Sequence, residues 1–430
     1  MATKKDTRVL FVIVDGIGDN VYPQSGYKTI FEQVEKPTLD QMAKTGANGL
    51  MDPFECGFAC GSDTAHLSIF GYTPLHYYKG RGAFETEGAG LPMKAGDIAF
   101  KCNFSTVSKD EIVTLRRVDR HFEKWGLDLV SYLNNMKIPG FEQYTVSTKH
   151  ATEHRIGLKV SGPGLSNQIT DTDPMEDGHA LMKIKAKGPE GELTAKICQA
   201  LSDEIRRLLE IHPINVERVK QGLPAANCVL LRGCGIKLEA QPFGERFNTK
   251  PVTICPTCVI AGITMSIGFE RLIVPGTTGD KYSDLNAKAK AAYESLYKGE
   301  HRFCFLHVKA YDEAGHDGHL DVRRDMVKRI DTMMKLFFDL AKDEQEDCVV
   351  AITGDHSTPT YRLDHTYEPV PFNLTSVHAV NKDQKLFLSD EVKVFSEIAA
   401  AYGVLGRFPG REIMPLVFRA RDRLNEKGFA

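Results

Sequence analysis

No apolar stretch in this 430-residue chain approaches the roughly 18 residues that a membrane-spanning helix requires. The N-terminal apolar run is too short for the core of a signal peptide followed by a cleavage site, so a cytoplasmic location is expected. Charge of one sign is also missing: 54 Lys and Arg against 57 Asp and Glu leave a formal −3. That balance gives no bulk attraction to nucleic acid or to an anionic membrane. Any anion must be held by local arginines, and the expected partner is a small molecule. Ten cysteines are too sparse for the disulfide framework of a small secreted domain. The lone CxxC, Cys255 with Cys258, lacks the second pair that a structural zinc site would need, and both residues read as packing residues at a helix start. There is no GxSxG elbow, P-loop, HExxH or complete GxGxxG after a strand, which removes the commonest motif-borne chemistries. Internal repeats and low-complexity segments are absent as well.

What the chain does have is length for two hydrophobic cores, with 42% apolar residues to fill them. Three short apolar runs without polar alternation, VLFVIV, FCFLHV and VVAIT, read as central strands of a parallel sheet covered on both faces. Each is followed within a few residues by an aspartate: Asp15, Asp312 and Asp355. Sheets of this kind bind ligands beyond the carboxyl ends of their strands. His316 lies four residues after Asp312, on one face if the segment is helical and on one loop otherwise. His356 adjoins Asp355, and His365 follows. Carboxylates that neutralise charge, mixed with imidazoles that add directional nitrogen, suit Mn²⁺ or Zn²⁺ better than Ca²⁺.

Ser62 stands at the start of a predicted helix, where it is either an ordinary cap or a hydroxyl placed among backbone N–H groups that favour phosphate. If it faces two metals, coordination can deprotonate it for attack on phosphorus without a histidine base. From about Asp97 to Arg246 the texture changes to alternating segments such as AFKCNFSTV, EIVTLRRV and HRIGLKV, which read as antiparallel strands. The expected organisation is therefore a discontinuous metal-binding α/β domain, 1–94 and 250–430, with a smaller substrate-binding domain inserted at 95–249.

The segments DGIGD, GSDTAHLSIFGY, DEAGHDGH and GDHSTP, followed by His365, together resemble the signature set of the alkaline phosphatase superfamily. More narrowly they resemble the archaeal-type 2,3-bisphosphoglycerate-independent phosphoglycerate mutases. SGPGLSNQITDTDP, NCVLLRGCG and GRGAFE look like that family's inserted-domain and linker segments, so the likeness runs nearly the whole length. It implies an alkaline-phosphatase-like, doubly wound, mainly parallel sheet with an inserted α+β domain. It implies two divalent ions, Mn²⁺ first, with Mg²⁺ or Zn²⁺ as alternatives. One ion would sit on Asp15, Ser62, Asp355 and His356, the other on Asp312, His316 and His365, and Ser62 would become phosphoserine. His66 matches a family histidine, or is a packed core residue. Arg155, Asp171, Asp173 and Arg232 match positions near the substrate, with Asp171 or Asp173 as acid or base for the glycerate hydroxyl. Arg246 stands where a lysine is expected, which keeps the charge and changes the contact geometry.

The implied activity is interconversion of 3-phosphoglycerate and 2-phosphoglycerate, with no nucleic-acid or membrane partner and with a homo-oligomer compatible. The same metal set would serve a phosphatase, or a mutase for another phosphorylated metabolite, and release of inorganic phosphate separates these. A non-catalytic scaffold would have no chemical need for Ser62.

Overall fold

The computed structural model describes residues 6–119 and 122–427. The chain forms two compact units: Met1–Tyr77 with Gln241–Thr257 and Ile267–Ala430, and Tyr78–Ala240 with Cys258–Ser266. The second unit therefore overlaps the 95–249 span and also takes in 78–94 and a short stretch near Cys258.

The first unit is built on an eight-stranded sheet in the order Glu270–Arg271, Pro251–Ile254, Phe303–Val308, Arg8–Val14, Cys348–Thr353, Val370–Ser376, Ala47–Asp52 and Arg407–Pro409. All neighbours are parallel except Val370–Ser376, which is antiparallel to both of its partners. The three apolar runs are the three central strands. Phe303–Val308 and Cys348–Thr353 are buried at every position, as a sheet covered on two faces demands. Their register fixes the site. Val14 pairs with Val308 and Ile13 with Thr353, so the chain leaves all three strands level at one sheet edge, and Asp15, Asp312 and Asp355 follow within a few residues. Downstream of Phe303–Val308, the helix Ala310–His316 puts Asp312 and His316 one turn apart. The long amphipathic helix Leu320–Ala341 then buries Met326, Val327, Ile330, Phe337 and Phe338.

The second unit has a six-stranded sheet, with Thr145–His150, Arg155–Ser161, Ile98–Val107, Ile112–Leu115 and His179–Ala180 in order and Cys228–Ile236 also paired to Ile98–Val107. The pairing is antiparallel throughout, as the alternating segments predict. Ile98, Phe100, Cys102 and Phe104 enter a core completed by Leu129 and Leu133 and by Ile197, Leu201 and Ile205. Helices Arg81–Gly88 and Cys258–Ser266 belong to this unit too. They approach until backbone meets backbone: a Cβ on Gly262 would lie 1.8 Å from the Phe84 carbonyl oxygen, and one on Gly88 1.8 Å from that of Cys258. Only glycine allows that contact. Gly262→Val is expected to destabilise by about 1 to 3 kcal/mol through overpacking. A urea or thermal transition that does not move would show that the two helices are not so close.

Candidate metal centre

Burial sets the problem this site must solve. Asp15, Asp312 and Asp355 are each 0% exposed, and an ionised carboxylate out of water is costly unless a cation or hydrogen bonds compensate. Some compensation is visible. Lys309 forms an ion pair with Asp312 and stands 3.2 Å from Asp15 Oδ2, as does His307 Nε2. Burial opposes ionisation of Asp15, but Lys309, His307 and His356 overcome it and hold the carboxyl well below its ordinary range. Asp355 is driven the other way, upward, by burial and by the charge of Asp15.

The loops that carry these groups are tied together. Gly16 turns the DGIGD segment with φ +65°, where a side chain would strike Asp312 and Thr358 at 2.6 Å. The Thr358 hydroxyl donates to Asp312 Oδ1 at 2.6 Å. Arg323, wholly buried on the helix Leu320–Ala341, donates to the Thr358 carbonyl at 2.9 Å, Thr360 Oγ1 at 2.7 Å and the Gly16 carbonyl at 3.0 Å. Its guanidinium lies 4.0 Å from the Tyr311 ring centroid and 3.7 Å from Asp19.

Each ligand-bearing imidazole is oriented through Nδ1. His316 Nδ1 faces the Leu363 carbonyl and His365 Nδ1 the Cys60 carbonyl, both at 3.0 Å. A carbonyl only accepts, so both Nδ1 atoms carry the proton and both Nε2 atoms offer lone pairs. Those two Nε2 atoms face each other at 3.1 Å, with Asp312 at 3.5 and 3.8 Å. Two lone pairs and a carboxylate converging on one point call for a cation. His356 repeats the pattern: Nδ1 meets Thr358 Oγ1 at 3.0 Å, while Nε2 lies 3.2 Å from Ser62 Oγ, 3.3 Å from Asp15 and 3.4 Å from Asp355. Asp355 and Asp15 raise the imidazole of His356 to about 9 against the effect of burial, so this nitrogen favours a positive partner, proton or metal. Oδ2 of Asp355 accepts no hydrogen bond, and the oxygens of Asp15 face only Lys309, His307 and His356. The residues therefore fit divalent ions. Asp312, His316 and His365 form one group of atoms within 4.8 Å of one another, and Asp15, Asp312 and His356 form another.

Ser62 is the first residue of the helix Ser62–Ile69, and the cap position falls to Gly61. His66 is fully buried; its Nδ1 contacts the Ser62 carbonyl at 2.7 Å and lies 3.6 Å from Asp355 Oδ2. Thus Asp15, Ser62, Asp312, His316, Asp355, His356 and His365 come together. His307, Lys309, Thr358 and Arg323 join them without having been expected. The only sequence signal for His307 was an imidazole inside a buried strand, FCFLHV. Cys255 lies against His307, and Cys258 is the first residue of the helix Cys258–Ser266 in the other unit.

In the second unit Asp173 is gripped by the fork of Arg116 at 2.7 and 2.8 Å and by Arg232 at 3.2 Å. Burial raises its carboxyl, and the arginines more than reverse that. Asp171 accepts the Gly233 N–H at 2.9 Å, and burial leaves its carboxyl raised. Arg155 opens the strand Arg155–Ser161, 3.8 Å from Glu153. Arg246 belongs to the first unit, donates to the Gly71 carbonyl at 2.6 Å and stacks on Tyr72 and Phe247.

Known proteins show the same plan. The family model for 2,3-bisphosphoglycerate-independent phosphoglycerate mutase matches residues 43–215. A curated protein of that name, numbered 1 in Methanothermobacter thermautotrophicus, is 37% identical over 97% of this chain and 98% of its own. A solved structure from Pyrococcus horikoshii superposes with TM-score 0.80 at 30% identity, covering 97% of this chain and 98% of that one. The cofactor-independent phosphoglycerate mutase of Thermoplasma acidophilum gives TM-score 0.69 at 27% identity, over 96% of this chain and 100% of that one.

Arg323→Met would strand a buried carboxylate and three acceptors at once. It is expected to cost about 3 to 5 kcal/mol of stability, measured by denaturant unfolding; a loss under about 1 kcal/mol, the size of a surface pair, would deny Arg323 this clasping role.

Proposed function

We propose that this chain, which belongs to the 2,3-bisphosphoglycerate-independent phosphoglycerate mutases, interconverts 3-phosphoglycerate and 2-phosphoglycerate through a phosphoserine on Ser62 beside two divalent ions. The enzyme is an isomerase of glycolysis. The observation that carries the mechanism is the convergence of Ser62 Oγ, His356 Nε2, Asp15 and Asp355 beside the facing nitrogens of His316 and His365.

Asp15, Ser62, Asp355 and His356 would hold one ion, and Asp312, His316 and His365 the other. When bound, such ions lower the pKa of a coordinated hydroxyl and neutralise charge on phosphoryl oxygens. Mn²⁺ is the proposed occupant, from the balance of carboxylate and imidazole. Ser62, its hydroxyl proton lost to solvent, forms an Oγ–P bond as the phosphate-ester O–P bond to glycerate breaks, and the leaving glycerate oxygen takes a proton from the carboxylic acid of Asp171. Thr358 keeps the two ligand groups in step, since it contacts both Asp312 and His356. His307 and Lys309 orient Asp15 from behind, as partners of metal ligands commonly do.

Glycerate must then be retained, turned and rephosphorylated through its other hydroxyl. The second unit supplies the cations for this in Arg155 and Arg232, because a guanidinium fork grips carboxylates bidentately. Of the two aspartates, Asp173 is committed to Arg116 and Arg232, whereas Asp171 has a raised carboxyl and one backbone partner. Asp171 is therefore the acid and base for the glycerate hydroxyls, and Asp173 organises arginines. The glycolytic relatives favour a cytoplasmic location.

The test is an enolase-coupled assay without added 2,3-bisphosphoglycerate. Chelation is expected to abolish turnover and Mn²⁺ to restore it; full activity in protein shown to be metal-free by elemental analysis would end the two-ion reading. Ser62→Ala is expected to fold and to lose turnover by several orders of magnitude, with no phosphoserine detectable by mass spectrometry. If inorganic phosphate rather than 2-phosphoglycerate accumulates in the parent, the enzyme is a phosphatase. Asp171→Asn is expected to lower kcat by about 10²- to 10⁴-fold, the usual span for a positioned acid or base, while Asp173→Asn chiefly raises KM. The reverse pattern would exchange the two roles.

A further inference from the structure

The turn that carries Asp15 is anchored at both ends, and its far anchor is Glu397, a buried carboxyl that the mechanism leaves unused. The Asp15 N–H donates to the Val308 carbonyl at 3.0 Å and the Gly16 N–H to Asp355 Oδ1 at 3.1 Å. Further along, the Thr358 N–H donates to the Gly18 carbonyl at 3.1 Å, and the Asp19 N–H donates to Glu397 Oε1 at 3.1 Å. Glu397 opens the short helix Glu397–Ala400, which packs on the strands Val370–Ser376 and Ala47–Asp52. Asp19, Thr29 and Glu397 are all buried, and all belong to the first unit.

A buried carboxyl set beside a second one is a costly way to hold a single N–H. One cation, Arg323, faces both Asp19 and Glu397, and it already donates to the Thr358 and Gly16 carbonyls and to Thr360. Among the described residues, Glu397 Oε2 is left with only the Thr29 hydroxyl beside it. Tyr311 also faces Glu397, and burial pushes its phenol further from ionising. Of the two strands under the helix, Val370–Ser376 has no charged residue, and Asp52 of the other is held by Arg407 at 2.7 and 2.8 Å. Burial and the charge of Asp19 therefore outweigh Thr29 and Arg323 and lift the Glu397 carboxyl to about 7. The acid form suits the place: Oε1 accepts from Asp19, and the proton on Oε2 is donated to Thr29 Oγ1.

We propose that Glu397 is a positioning residue of the metal centre, which anchors the turn from Gly16 to Asp19 and so holds the Asp15 carboxylate where its ion would bind. The inference rests on Asp15 being a metal ligand. The groups around the Asp15 oxygens are Lys309, His307 and His356, none of them on this turn, so the turn's backbone decides where the carboxylate starts. Gly16 and Gly18 contribute no side chain to hold that backbone. Losing the bond at Asp19 leaves it fixed at one end only. Glu397 does this best as an acid, since its ionised form would set a further negative charge against Asp19 close to the carboxylates of the centre.

The experiment is calorimetric titration of Mn²⁺ into chelator-stripped protein, comparing the parent, Glu397→Met and Glu397→Gln, beside thermal unfolding of each at about pH 6 and about pH 8. Glu397→Met fills the space but accepts no hydrogen bond from Asp19, and it is expected to weaken Mn²⁺ binding about tenfold, the lower end of the span for groups behind metal ligands. Glu397→Gln keeps the acceptor and puts an amide N–H where the acid has its proton, so it should recover most of the affinity. The folded parent keeps the Glu397 proton up to about 7, whereas the unfolded chain loses it near 4.5. The stability that this group contributes therefore declines as pH rises between those values and is gone above them. Glu397→Gln lacks the decline, so its unfolding midpoint should gain on the parent's at the higher pH. If Glu397→Met does not fold, Glu397→Asp, one methylene too short to reach the Asp19 N–H, is titrated in its place. Parental Mn²⁺ affinity in folded Glu397→Met or Glu397→Asp, whatever happens to stability, would overturn the inference, and so would a Glu397→Gln protein that binds as weakly as Glu397→Met. Failure of the parent itself to bind Mn²⁺ would instead bring down the two-ion reading, and this inference with it.

Discussion

Three carboxylates forced into one buried place are the constraint around which the first unit is arranged. Asp15, Asp312 and Asp355 are brought level by strand register and are all removed from water, where their mutual repulsion is weakly screened. Such a cluster exists only with positive charge at its centre. Lys309 and the imidazoles of His307 and His356 provide some of it. The remaining demand makes the place selective for multivalent cations, and it couples metal binding to the integrity of the sheet edge.

Geometry is held one layer further out. Arg323 reaches the Gly16 and Thr358 carbonyls from a helix that carries no ligand, and Thr358 passes that constraint on to Asp312. The imidazoles are likewise aimed by carbonyls of Cys60 and Leu363. Asp312, His316, Asp355 and His365 are each held by a neighbour from a different stretch of chain, so their donor atoms keep their positions together or lose them together.

Legibility in the sequence followed locality. The central strands could be read because burial on both faces leaves uninterrupted apolar runs, and the gathering of Asp15, Asp312 and Asp355 because they follow the ends of those runs. Lys309 and Arg323 were not legible, since a lysine near a strand end and an arginine on a charged helix look like surface residues until packing encloses them. Nor was the grouping of Cys258–Ser266 with the second unit, because the contact responsible is between glycine backbones and leaves no hydrophobic pattern. Arg246 was read by likeness to a lysine segment, whereas in the structure it caps the turn at Gly71. Asp171 and Asp173 are two residues apart and chemically identical in sequence; only their different neighbours distinguish them.

The discontinuity of the first unit has a consequence for how the chain is made. Arg8–Val14 is synthesised well before both of its sheet neighbours, Phe303–Val308 and Cys348–Thr353. The second unit has all its parts once Ser266 has emerged. Synthesis at about 5 to 20 residues per second therefore leaves that strand without these neighbours for roughly 15 s to a minute while the second unit completes its own contacts. An apolar strand with open edges invites misassembly for as long as it waits, and partnering of the N-terminal strand is necessarily a late, long-range event.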